Sequence, residues 1–181
     1  VIDGKPGEST SADADSSREA FARAVWAEKG CAPLVLEGPA LVRAREHFLR
    51  RAAALGHKRS RHPALRVLAD GKAVAARRSG QRWEVTLPAG TTEVRLASRS
   101  WVPAHMRAED NDTRLLGVAI ARLALDGREV ALDSPALAQG WNAPEPEWRW
   151  TDGTGVLPVA GARVLAFDVV MVGDYWVQPR G

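Results

Sequence analysis

Sulfur and phenyl rings are scarce in this chain of 181 residues, which has one cysteine, two methionines, one tyrosine and three phenylalanines. A single thiol, Cys31, excludes an intramolecular disulfide and argues against a thiolate metal cluster. Its expected place is that of a small buried hydrophobe. A nucleophilic role would need a histidine partner, and His47, His57, His62 and His105 stand at no recognisable spacing from it. No apolar run approaches the ~18 residues that cross a bilayer, so a membrane is not an expected partner. Strand-helix alternation is missing too, which removes a parallel doubly wound sheet.

What is present is ordinary for a globular protein, with 45% hydrophobic and 26% charged residues. The length suits one well-buried domain with a small N-terminal subdomain. The chain starts at Val1 and shows no basic-then-apolar leader, so it is expected to be a piece of something longer, and its compartment stays open. The net charge of +3 concentrates at Arg43, Arg45, Arg50 and Arg51 and in the run His57-Lys58-Arg59-Ser60-Arg61-His62. Basic runs of this kind are usually solvated helix faces and linkers. No aromatic residue is interleaved with this one, so nucleic acid is not expected as a partner.

Residues 1–16 are small and polar and read as extended. Ser16 with Glu19 makes a capping box, and Ala20, Phe21, Ala24, Val25 and Ala27 give a partial apolar face before Gly30. After a short apolar run at 32–37, a second helix is marked by Pro39 at its start and Gly56 past its end. Leu41, Ala44, Phe48, Ala52 and Leu55 recur along it at three- and four-residue steps. From Pro63 the texture becomes strands and turns. Residues 65–69 and 72–76 flank Asp70-Gly71, and 115–125 and 128–132 flank Asp126-Gly127, so both read as hairpins. Residues 83–87 and 93–100 alternate as half-buried strands, and 156–159 and 163–172 supply two more. The pattern predicts a mainly β protein: an antiparallel, jelly-roll-like β-sandwich over 63–181, preceded by an extension over 1–62 with two helices.

Between the last hairpin and the final strands, residues 140–153 carry three of the seven tryptophans. The alternation Trp148, Arg149, Trp150 places both indoles on one face of a strand. Trp and Tyr faces stack on sugars while acids, amides and arginines bond hydroxyls, which makes Trp141, Glu145, Arg149 and Asp152 candidate ligand contacts. Arg99 and His105 join them. With so few other aromatic residues the tryptophans must also fill core volume, so Trp148 and Trp150 are expected to be core anchors and Trp141 the indole at the surface. Glu109-Asp110-Asn111-Asp112 lacks the glycine and closing glutamate of a helix-loop-helix calcium site, so no metal and no cofactor are expected.

Leu68-Ala69-Asp70-Gly71, Ser98-Arg99-Ser100-Trp101-Val102-Pro103-Ala104, Arg114-Leu115-Leu116-Gly117-Val118-Ala119-Ile120, Gly140-Trp141 and Trp148-Arg149-Trp150-Thr151-Asp152-Gly153 form a set. That set resembles the C-terminal region of bacterial Hint-domain-containing proteins. Related sandwich modules accompany some bacterial polysaccharide glycosyltransferases. Upstream, Asp3-Gly4-Lys5-Pro6-Gly7-Glu8-Ser9, with Arg18 and Phe21, is similar to the segment after the last Hint strand, although residues 10–15 depart from that pattern. Hint autoprocessing needs a starting Cys or Ser nucleophile and a Thr-x-x-His element, and this chain has neither. The resemblance therefore implies a position beside a processing module rather than self-cleavage.

The expected function is a non-catalytic accessory or recognition sandwich, with carbohydrate as the ligand class. A structural or protein-interaction module is the alternative. A hydrolase using Glu145 or Glu147 with Asp110 or Asp112 is a further one, since two carboxyl groups across a cleft suffice for glycoside hydrolysis.

Overall fold

The computed structural model describes residues 11–30 and 35–177; Cys31 and the family-like segment at 3–9 lie outside them. The chain divides into two compact units, residues 1–43 and 44–181. In the first, α1 spans Ser11–Lys29. It starts at Ser11, not at the predicted cap Ser16, because Ala12 and Ala14 are strong helix formers that extend it upstream. Phe21, Val25 and Trp26 on it are exposed. Residues 35–37 form no strand.

The second helix, α2, runs Pro39–Ala54, with the predicted proline at its first position. The amides of Gly56 and His57 close its last turn on the carbonyls of Ala53 and Ala52. Its apolar stripe is not buried as the periodicity suggests: Phe48 is 70% and Leu55 58% exposed. Beyond it Lys58–Ser60, part of the run expected to be a solvated linker, forms strand β1.

The second unit is an antiparallel β-sandwich, as predicted. Its strands continue with β2 (Arg66–Ala69), β3 (Lys72–Val74), β4 (Ala76–Ser79), β5 (Arg82–Thr86) and β6 (Glu93–Ala97). A short helix, α3, covers Pro103–Met106. Then follow β7 (Val118–Leu125), β8 (Arg128–Glu129), β9 (Trp141–Pro144), β10 (Arg149–Thr151), β11 (Thr154–Pro158), β12 (Val164–Val172) and β13 (Tyr175–Val177). The larger sheet has the order β4-β5-β12-β7-β10-β9 with β8 paired to β7; the smaller is β11-β6-β2-β3, and β1 pairs with β13. Both Asp-Gly turns sit where predicted. Asp70 and Gly71 (φ 45° and 80°), like Asp126 and Gly127 (47° and 77°), supply the two successive positive φ values that match a tight turn to the strand twist.

The inner faces meet in one core. Val67, Val94, Leu96 and Leu157 from the smaller sheet pack with Val85, Ile120, Leu123, Leu165 and Phe167 from the larger. Arg122 explains how Ile120 and Leu123 both point inward. The β7–β12 register shifts between Ala166 and Asp168, so that Arg122, at φ 45°, is part of a bulge that resets the period of two. Arg122 thereby reaches Asp168, a fully buried carboxylate that Arg82 also contacts at 3.2 Å.

A second cluster covers the outer face of the larger sheet, where Trp101, Met106, Leu116, Ala119, Trp150 and Tyr175 pack together. The Tyr175 hydroxyl donates to Gly117 O at 2.8 Å and accepts from the Gly173 amide at 3.1 Å. Burial pushes its pKa above the usual tyrosine value, as expected for a phenol held neutral. Tyr175→Phe would leave that carbonyl and amide short of a partner. It should lower unfolding free energy by about 1–3 kcal/mol in urea denaturation without changing the β-sheet circular dichroism.

Candidate functional site

The six residues singled out in the sequence do not form one site. Trp141, expected at the surface, is 8% exposed and belongs to the inner core; its Nε1 donates to Val156 O at 2.8 Å. The correction has a simple cause. Trp141 pairs across β9 and β10 with Thr151, which faces the core, and its indole finds a carbonyl on β11. Arg149 is also buried, with Nε on Asn142 O (2.6 Å) and Nη1 on Leu132 O (2.7 Å). Burial disfavours its charge and Asp133 partly offsets this, so the guanidinium ties loops together rather than meeting a ligand.

Asp152 caps a turn through the amide and hydroxyl of Thr154. Arg99 donates to His62 O at 3.1 Å and borders a separate depression with His62 and Arg66. His105 is exposed on α3. Of the six, Glu145 alone lines the cleft described next.

That cleft, about 590 Å³, opens over the second cluster. Trp101, Leu116, Trp150 and Met171 form its apolar wall. The rings of Trp101 and Trp150 meet edge to face with centroids 6.5 Å apart. Gly173 makes room for Trp101, because a β-carbon there would overlap the indole edge at Nε1 and Cδ1. Above this wall stands a charged rim. Arg107 lies 5.1 Å over the Trp101 ring and pairs with Asp174 at 3.6 Å and Asp110 at 3.9 Å. Arg114 holds Asp112 at 2.7 Å and Glu145 at 3.1 Å, joining the loop before β7 to the loop after β9. Arg45 of α2 fixes the acidic loop from outside through Ala108 O, Asp110 O and Asn111 Oδ1, at 2.8–3.2 Å.

Hydrogen bonds from Arg114 hold the Asp112 carboxyl below its ordinary value, and the two carboxylates raise Arg114 in return. The acidic loop is an ion-pair network. Among the described residues no group of three or more His, Cys, Asp or Glu side chains could hold a metal ion.

No family model, curated protein or solved structure matches this chain. The site rests on its geometry alone.

Sequence reasoning missed most of this cleft. Arg78, Trp101 and Met171 sit far apart in sequence, and no spacing rule joins them. One signal is in the sequence: of the acids Asp110, Asp112, Glu145 and Glu147 that could pair across a cleft, the first three line this one and Glu147 does not.

A depressed carboxyl stabilises the fold above its unfolded value of about 3.8, and that contribution is lost as pH falls through the lower folded value. Asp112→Asn should therefore lower the melting temperature at neutral pH. The gap to the parent protein should close below about pH 3.8 in a thermal-melt series.

Proposed function

We propose that this chain is a non-catalytic recognition module of a larger Hint-type bacterial protein, and that its cleft binds a carbohydrate. The supporting observation is the join of an apolar indole and thioether wall to a rim of fixed donors and acceptors. A sugar ring has apolar C–H faces and a girdle of hydroxyls, and it needs both surfaces at once. The ion pairs pre-set the rim, so binding would order few side chains.

Catalysis fits this site less well. Asp112 and Glu145 share one guanidinium, which brings them close enough for a glycosidase pair. General-acid catalysis, however, needs a carboxyl with a raised pKa, and Arg114 favours the ionised form of Asp112 by direct contact. Asp112 is held low accordingly. A second reading, docking of another protein, draws on the exposed Phe48 and Leu55 beside Arg50 and Arg51.

Titration with a panel of neutral and acidic oligosaccharides, followed by tryptophan fluorescence, tests the carbohydrate reading. At least one should change the emission of Trp101 and Trp150. Met171→Ala should weaken binding about tenfold, roughly the loss of a buried apolar contact. Trp141→Phe should leave affinity unchanged, because that indole lies in the inner core. A panel without any binder would remove carbohydrate as the ligand class.

A further inference from the structure

We infer that the cleft is selective for acidic sugars, with a carboxylate of the ligand held by Arg61 and Arg78; this rests on the carbohydrate reading above. Four arginines line the cleft, and they are not equivalent. Arg107 faces Asp110 and Asp174, and Arg114 faces Asp112 and Glu145. At that end two guanidiniums face four carboxylates, so the local balance is acidic. Arg61 and Arg78 have no ion pair among the described residues, so the positive charge open to a ligand anion lies with them, at the end away from the acids.

Arg78 is also arranged for the task. Its Nε donates to Gly80 O at 2.9 Å, and its guanidinium carbon stands 5.6 Å from the centroid of the Trp83 ring. These two contacts restrict the group's rotation from outside the cleft, since neither Gly80 nor Trp83 lines it. Both terminal nitrogens are left without a hydrogen-bond partner among the described residues, which is the fork that a carboxylate accepts in bidentate fashion.

Arg61 follows β1, where Arg59 lies 5.3 Å over the Trp176 ring and Lys58 is exposed. These neighbours reinforce the positive potential on that side and would draw an anion in. The opposite end supplies Asp112 and Glu145, whose oxygens can accept from ligand hydroxyls while still bound to Arg114. A neutral sugar would use the wall and the acids but leave Arg61 and Arg78 without a counter-charge. A uronic acid uses both ends.

Isothermal titration of the full chain with trigalacturonate, a neutral galactose trisaccharide and a sulfated heparin trisaccharide tests this. Trigalacturonate should bind at least tenfold tighter than the neutral sugar, the scale of a charge-assisted hydrogen-bonded pair. It should also bind tighter than the sulfated one. The double variant Arg61→Gln/Arg78→Gln should erase the preference for acid while retaining neutral binding. Arg77→Gln, an exposed β4 neighbour that does not line the cleft, should change nothing. Equal affinity for acidic and neutral sugars would overturn the selectivity and leave the carbohydrate reading standing. No binding by any sugar would overturn both. Tightest binding of the sulfated probe, or an equal loss with Arg77→Gln, would show general polyanion attraction and also overturn the proposal.

Discussion

The pairing of β7 with β12 is the constraint on which the rest of the second unit depends. These are the two longest strands among the described residues, adjacent at the middle of the larger sheet, and their ladder contains two register shifts. At the first, the extra residue around Arg122 lets Ile120 and Leu123 face the same core and turns a cation toward Asp168. A carboxylate with no solvent exposure is tolerable only with its charge matched, and Arg82 from β5 and Arg122 from β7 both supply that match. Three neighbouring strands are tied by one buried acid. The second shift, between Val169 and Met171, leaves the end of β12 half-buried beside the cleft.

Because β7 is buried on both faces at its start, the larger sheet supports two different packings there. Val118 and Ile120 point into the sandwich, and Ala119 points out beneath Trp150. The small side chain of Ala119 gives the indole space. Trp101, Met106 and Tyr175 then close over the outer side, and the Trp101–Leu116 bridge pins the segment that carries α3. The wall of the cleft is thus a by-product of covering the outer face. Its rim comes from loops that must stay polar because they are at the surface.

Arginine is used in two distinct ways in this unit. Arg45, Arg149, Arg82 and Arg122 are spent on carbonyls or on buried charge, where the planar five-donor head can bridge several acceptors. Arg107 and Arg114 organise the acidic loop. Of the arginines that line the cleft, Arg61 and Arg78 are left without an ion pair among the described residues. The sequence total of +3 says nothing of this division, since it counts spent and free cations alike.

Features governed by near neighbours were legible from the sequence. The Asp-Gly turns follow from positive φ at adjacent residues, the strands from a period of two, and the shared face of Trp148 and Trp150 from their spacing. Both indoles do pack in the same outer cluster. The caps of α2 were equally local. What the sequence could not contain were partners distant along the chain: Val156 O for Trp141, Leu132 O for Arg149, β13 for Lys58–Ser60, and the meeting of Arg61, Arg78, Trp101 and Met171. Each depends on which strands become neighbours and on where a bulge changes their register. The sequence by itself determined the kinds of element and their turns, because those rules act over two to four residues. Only the tertiary structure decided which side chains are core, which arginines meet carboxylates and where a ligand could sit, because burial and charge pairing are properties of the assembled sheets.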